Sequence, residues 1–148
     1  MILLCEHQET FGLRFEVWSA ETELKPAIMA QKVITDSHDN HARHWAAFDG
    51  SSMIAAARMC LHDRQKDTPD AYAFREVRLP SPVATINRLV VHNSARRRGL
   101  GTTLCMCRIQ AAKQDGGMCV VGSAVEPRIS SFETLGFRLI GKTAFQRR

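Results

Sequence analysis

The stretch from Ile86 to Ala112, INRLVVHNSARRRGLGTTLCMCRIQAA, constrains this chain more than any other. Leu89-Val90-Val91 is a continuous apolar run, the pattern of a strand buried on both faces. The polar turn His92-Asn93-Ser94-Ala95 follows, and then the cationic, glycine-rich hexad Arg96-Arg97-Arg98-Gly99-Leu100-Gly101. Leu100, Leu104, Cys107 and Ala111 recur at helical spacing, and Gly116-Gly117 supplies a stop. A strand therefore runs into a tight turn that opens a helix. The first amides of such a helix have no partner within it. With the helix dipole and three guanidinium groups beside them, they form an anion site suited to phosphate.

Two familiar phosphate loops do not fit. No Lys-Ser or Lys-Thr follows Gly101, so this is not the mononucleotide loop, and the third glycine of the dinucleotide pattern falls at Leu104. The segment instead resembles the acetyl-coenzyme A site of the GNAT superfamily of acetyltransferases. Their loop reads Arg/Gln-x-x-Gly-x-Gly/Ala between a central strand and a helix, and Arg96, Gly99 and Gly101 match it. Downstream, Ser131-Phe132-Glu133-Thr134-Leu135-Gly136-Phe137 is similar to the family's F-Y-E-x-L-G-F segment. The resemblance is strong over residues 84–141 and looser over 43–62.

The resemblance implies an α/β (α+β) fold: a mixed, mostly antiparallel central sheet flanked by helices, with a strand-loop-helix cofactor site. It implies acetyl-coenzyme A as co-substrate and an amine-bearing acceptor. The loop and helix start, Arg96, Arg97, Arg98, Gly99, Leu100, Gly101 and Thr102, would hold the pyrophosphate. The backbone of Leu89, Val90 and Val91 would hold the pantetheine arm as an added strand.

Acetyl transfer to an amine needs a neutral nucleophile, a polarised thioester carbonyl and an outlet for the departing thiolate. Here the chain departs from the family. Phe132 stands where a tyrosine often protonates the thiolate, Asn87 aligns with a common carboxylate, and Val125 with a common asparagine. The catalytic residues are therefore open, with His62, Glu76 and Ser131 as candidates. His62, beside Asp63, ends the second hairpin strand and is expected to titrate near neutral pH; Glu126, which opens the last helix, and the Tyr72 hydroxyl are further polar groups considered. His38-x-x-His41-x-x-His44 lacks thiolates and a helix to organise it, so no metal is expected, and His44 reads as a packed strand residue.

At 148 residues the chain has the length of one domain, read here as spanning 1–148. The net charge of +5 favours an anionic ligand, although much of the excess sits in Arg96–Arg98 and at Arg147-Arg148. Cys5, Cys60, Cys105, Cys107 and Cys119 are odd in number, and three lie in apolar patterns, which reads as reduced thiols in a cytoplasmic protein. The apolar start Ile2-Leu3-Leu4 is too short for a secretory segment, and no run approaches a membrane span.

Along the chain, residues 1–11 read as a short first strand. Phe15, Val17 and Trp18 begin a helical segment broken near Pro26, which starts a second helix carrying Ile28, Met29, Val33 and Ile34. Asp36-Ser37-His38-Asp39-Asn40 reads as a polar loop. Arg43–Phe48 and Ser51–Leu61 form a hairpin about Asp49-Gly50, a dipeptide suited to a type I′ turn. His62–Pro82 reads as a long loop with at most one short turn. The central strand covers about 84–92, the loop and helix about 96–115, a further strand Met118–Ser123, a short helix Pro127 to Thr134, and a last strand Phe137–Ile140.

The leading reading is an acetyl-coenzyme A-dependent N-acetyltransferase working by direct attack. A non-catalytic acyl-coenzyme A sensor is the alternative, motivated by Phe132, Asn87 and Val125. Nucleic-acid binding through Arg96–Arg98 is disfavoured, because no aromatic platform adjoins them. A second copy of the chain is left open as a partner.

Overall fold

The computed structural model describes residues 1–21 and 24–142, so Arg147-Arg148 lie outside the described residues. Five strands form one sheet in the order β1-β2-β3-β4-β5: β1 Ile2–Glu6, β2 Arg43–Asp49, β3 Ser52–His62, β4 Val83–Val91 and β5 Cys119–Gly122. The first four are antiparallel neighbours, and β5 joins β4 in parallel through a helical crossover. This is the mixed, mostly antiparallel sheet that the motif order implied.

Helices cover both faces. Helix α1, Phe11–Glu21, presents Leu13 and Val17 to Ala56 and Val90 on one face. Helix α2, Pro26–Gln31, begins at its proline and ends sooner than expected. Lys32 turns left-handed and donates its amide to Ile28 O, so Val33 and Ile34 fall outside the helix, where the β-branched run Val33-Ile34-Thr35 is poorly suited to continue it. Helix α3, Leu100–Gln114, packs Leu100, Leu104, Cys105, Ala111 and Ala112 on the other face, against Ala55, Ala57, Met59, Ala84 and Ile86. The alanines of β2 and β3 let both helices approach closely. Helix α4, Ile129–Thr134, continues a 3-10 turn at Glu126–Arg128 and gives way to Leu135 and the left-handed Gly136.

Four local expectations need correction. The hairpin pairs Asp49 with Ser52, so the loop is Gly50-Ser51, and only Gly50 has positive φ, the type II′ rather than the type I′ pattern. Residues 36–40 are not a plain loop. Ser37–His41 is a 3-10 turn closed by a reciprocal cap between Asp36 and Asp39, and Asp39 is buried. The long connection after His62 holds two 3-10 turns, Gln65–Asp67 and Ala71–Phe74. Phe137–Ile140 is not a strand. Phe137 is drawn back by its amide onto Phe132 O (3.1 Å) and by its ring onto that of Phe132, and by Gly141 the chain has reached the Ala73 carbonyl, away from β5.

Candidate active site

The site begins with a fault in β4. Two steps along β3, Ala56 to Arg58, face three along β4, Asn87 to Val90, so β4 carries one extra residue. Arg88 absorbs it in the left-handed region (φ 54°). Side chains then fail to alternate: Asn87 and Arg88 both reach the α1 face, where Asn87 Oδ1 accepts from Arg58 Nε (2.8 Å) and Arg88 donates to Asp36 (2.7 Å). At the same point β4 parts from β5. Their ladder runs from Val83↔Cys119 to Ile86↔Gly122 and stops. From Asn87 to Val91 the edge of β4 that faces β5 has no ladder partner among the described residues.

The gap leads to the loop and helix start. A 3-10 turn at Asn93–Ala95, capped by the His92 ring accepting from Ser94 N (3.2 Å), ends the strand. Arg97 (φ 64°) and Gly99 (φ 76°) are both left-handed, and Gly99 is the residue that caps α3. The bond from Thr103 N to Gly99 O (3.0 Å) is the first of the helix, so the amides of Leu100, Gly101 and Thr102 precede it. A Cβ at Gly101 would meet only Leu89 Cδ2, at 3.6 Å. The three arginines that precede these amides in the chain differ in their partners. Arg96 donates to Val91 O (3.2 Å) and pairs with Glu21; Arg98 donates to Ser94 O (3.5 Å) and lies 3.8 Å from Asp49. Arg97 makes no ion pair among the described residues.

A cavity of about 830 Å³ occupies the other end of the gap. Thr85, Asn87, Gly122, Phe132, Phe74 and Leu139 are among its walls. Thr85 is 4% exposed, and behind it His62 Nε2 lies 2.9 Å from the Thr85 hydroxyl. Burial holds His62 below the usual imidazole range, and the nearby His38 ring, 5.5 Å away edge-on, pushes the same way. His62 is thus a neutral imidazole at pH 7, joined through the Thr85 hydroxyl to the cavity wall. Phe132 packs on the sheet at Gly122 and Ile86 and offers no proton.

Beside this lies a buried charge network. Asp39 accepts from Arg14 (3.0 Å), Arg58 (2.9 Å), Thr35 (2.9 Å) and the amide of Asp36 (2.8 Å). Asp36 accepts from Arg58 (2.6 Å) and Arg88. Burial alone would push both carboxyl groups up, but these hydrogen bonds and cations hold them well below the usual range. His44, between Arg14 and the Asp39 carbonyl, is kept neutral chiefly by burial.

The acetyltransferase (GNAT) family profile matches residues 7–137. The chain belongs to the acetyltransferase (GNAT) family. Solved structures agree on the fold. An acetyltransferase from Trypanosoma brucei is 19% identical with a TM-score of 0.69, each chain covered fully. A predicted acetyltransferase from Clostridium acetobutylicum, solved with acetyl-coenzyme A, is 13% identical with a TM-score of 0.67, covering 99% of this chain and 96% of the other. Aminoglycoside N-acetyltransferase AAC(6')-Iy, solved with coenzyme A, is 18% identical with a TM-score of 0.65, covering 100% and 95%. No curated protein sequence matches the chain.

Within the GNAT fold the candidates separate. Leu89–Val91 line the opened edge, and Arg96–Thr102 form the loop and helix start beyond it. His62 ends β3 behind Thr85. Glu76 is exposed and paired with Arg75 (3.2 Å), and Ser131 is exposed on α4, while its neighbour Phe132 faces the cavity. Glu126 and Tyr72 are exposed, Glu126 on the cavity wall. Asn87 is tied to Arg58. Thr85, Arg58, Asp36, Asp39 and Arg108 were not singled out from the sequence. Arg108 carried a usable signal, since it follows Leu104 by four residues on the buried stripe of α3.

Proposed function

We propose that the chain transfers the acetyl group of acetyl-coenzyme A to the amine of an acceptor by direct attack. The observation that carries this reading is the parting of β4 from β5 after Ile86 and Gly122, on a line that ends at the free amides of α3. The residues fit the co-substrate. Leu100, Gly101 and Thr102 offer amides to the pyrophosphate, Arg97 is a guanidinium without a competing carboxylate among the described residues, and Gly101 leaves the approach clear. The unpaired edge of Leu89–Val91 offers strand hydrogen bonds to the arm, although Arg96 already occupies the Val91 carbonyl. The bound co-substrate supplies an activated acyl thioester.

His62 is the base in this reading, acting through the Thr85 hydroxyl, which takes the surplus proton of the amine and passes its own to Nε2. Glu76 and Ser131 are set aside, because both side chains face solvent. Phe132 favours a second reading, a non-catalytic acyl-coenzyme A sensor, since its ring fills the wall where a phenol would serve. The free cysteines suit a reducing compartment, and we place the protein in the cytoplasm. Among the described residues no helix is long and apolar enough to cross a membrane.

Calorimetric titration with acetyl-coenzyme A, followed by thiol release over a panel of amines, tests the reading. Binding with release supports transfer; binding without release on any amine supports the sensor; absence of binding overturns both.

A further inference from the structure

Three arginines are almost wholly buried: Arg14, Arg58 and Arg108. Asp39 and Asp36 meet the first two. Arg108, 1% exposed, meets no carboxylate among the described residues. Its Nε donates to Leu104 O (3.1 Å), and its Nη1 donates to Arg58 O and Asn87 O (3.2 Å each). Neutral carbonyls accept from Nε and Nη1 but leave the charge uncompensated, and burying such a charge is costly. Burial pulls the group down to about 10, and the thiols of Cys105 and Cys107 are the ionisable groups that oppose this; it remains a cation at neutral pH.

Its position gives the charge a use. Arg58 and Asn87 are the register pair beside the extra residue of β4, and Asn87 is the first residue past the last β4–β5 pair. The guanidinium therefore sits under the apex of the gap. An arm anchored at the α3 amides and running back along β4 from Val91 to Asn87 covers four strand steps, roughly 13 Å, and brings its sulfur end to that apex.

We propose that Arg108 is the counter-charge for the departing coenzyme A thiolate, standing in for the proton that Phe132 cannot give. The proposal rests on the acetyl-coenzyme A site described above. In the transfer, the amine lone pair forms the bond to the acetyl carbon and the surplus proton passes through Thr85 to His62. The carbon–sulfur bond breaks, and its electron pair stays on sulfur as thiolate. No acid is needed at sulfur when a fixed cation lies beneath it in a site of low polarity. Arg108 touches carbonyls rather than substrate, so it is a positioning residue that acts through the β4 kink and through its field.

The other charges near this region sit on the opposite face of the sheet or on the cavity wall. On the opposite face Arg14, Arg58 and Arg88 share the carboxylates Asp36 and Asp39, which leaves one net positive charge there, and His62 is neutral. On the cavity wall Glu126, Glu133 and Asp70 are of the wrong sign, and the cations Arg138 and Lys142 are exposed, where solvent screens them.

The test reads the thiol directly. Ultraviolet difference spectra between the complexes with coenzyme A and with desulfo-coenzyme A, titrated over pH, give the pH at which the bound thiol ionises. A free thiol of this type ionises near ~8.5. In the parent protein the bound thiol is expected at least about one unit lower, a tenfold shift toward thiolate. Arg108→Met should lose that shift with coenzyme A affinity at pH 7 changed less than threefold, and Arg108→Lys should retain most of it. A parent complex whose thiol ionises like free coenzyme A overturns the proposal, whether or not the variants fold. Equal thiol values in parent and Arg108→Met overturn it as well. Failure of both ligands to bind overturns the cofactor site itself, and the proposal with it.

Discussion

His62 Nε2 and the Thr85 hydroxyl are 2.9 Å apart, across the ladder pairs that join the end of β3 to the start of β4. This contact links a buried imidazole to a cavity that the imidazole does not itself line. Thr85→Val removes the hydroxyl with little change of shape and should lower kcat by about 10²-fold or more, with the KM for acetyl-coenzyme A unchanged. An unchanged kcat would remove His62 from the reaction. Steady-state kinetics at saturating acceptor decides it.

Acid lability should come in two stages. Burial lowers His62 and His44 in the folded protein from an ordinary value of 6.5, so the unfolded chain binds more protons below that value. Their contribution to stability is present above about pH 6.5 and is lost as the pH falls through the lowered folded values. Asp36 and Asp39 are also held low, and what they contribute is lost only further down, below the ordinary carboxylate value of 3.8. Urea midpoints measured at intervals from pH 8 to pH 3 should fall in these two steps. A flat profile down to pH 4 would contradict the burial assigned to the two histidines.

Asp39 holds the cations of α1 and β3 together. Asp39→Asn leaves Arg14 and Arg58 short of a buried counter-charge and should cost about 3–5 kcal/mol in urea unfolding. Stability within 1 kcal/mol of the parent would show that the network is solvated.

Gly99 and Gly101 should separate strain from recognition. Gly99→Ala places a side chain at φ 76°, costing about 1–2 kcal/mol of stability besides any loss of ligand. Gly101→Ala meets only Leu89 at 3.6 Å, so the thermal midpoint should hold while coenzyme A affinity falls. The reverse ordering of stabilities would misplace the turn.

Much of this was legible in the sequence because the cofactor loop is local. Strand, turn, glycines and helix follow one another within 27 residues, and each obeys short-range rules that need no knowledge of the rest of the chain. The polar half of the site was not legible. Asp36 and Asp39 look like loop residues until Arg14 and Arg58, 19 to 25 positions away from Asp39, are brought against them. Thr85 is an ordinary strand residue until the β3–β4 register sets it beside His62. The last strand failed for a similar reason. Phe137–Ile140 has strand composition, but the ring of Phe132 and the approach of Gly141 to Ala73 take it off the edge of β5.

Phe132→Tyr offers a phenol at the cavity wall. Activity should be kept, or raised most below neutral pH, where an unprotonated thiolate leaves least readily. Because Arg108 already stabilises the thiolate, the gain above neutral pH should be small. An active parent abolished by this change would assign the position to packing against the acyl group or acceptor.

The central claim, that the gap between β4 and β5 holds acetyl-coenzyme A, is tested most directly by amide hydrogen exchange with and without the ligand. The account predicts slowed exchange at Leu89–Val91 and at Leu100–Thr102 together, with little change at β1 and β2. Protection confined to other segments, or none at saturating ligand, would contradict it.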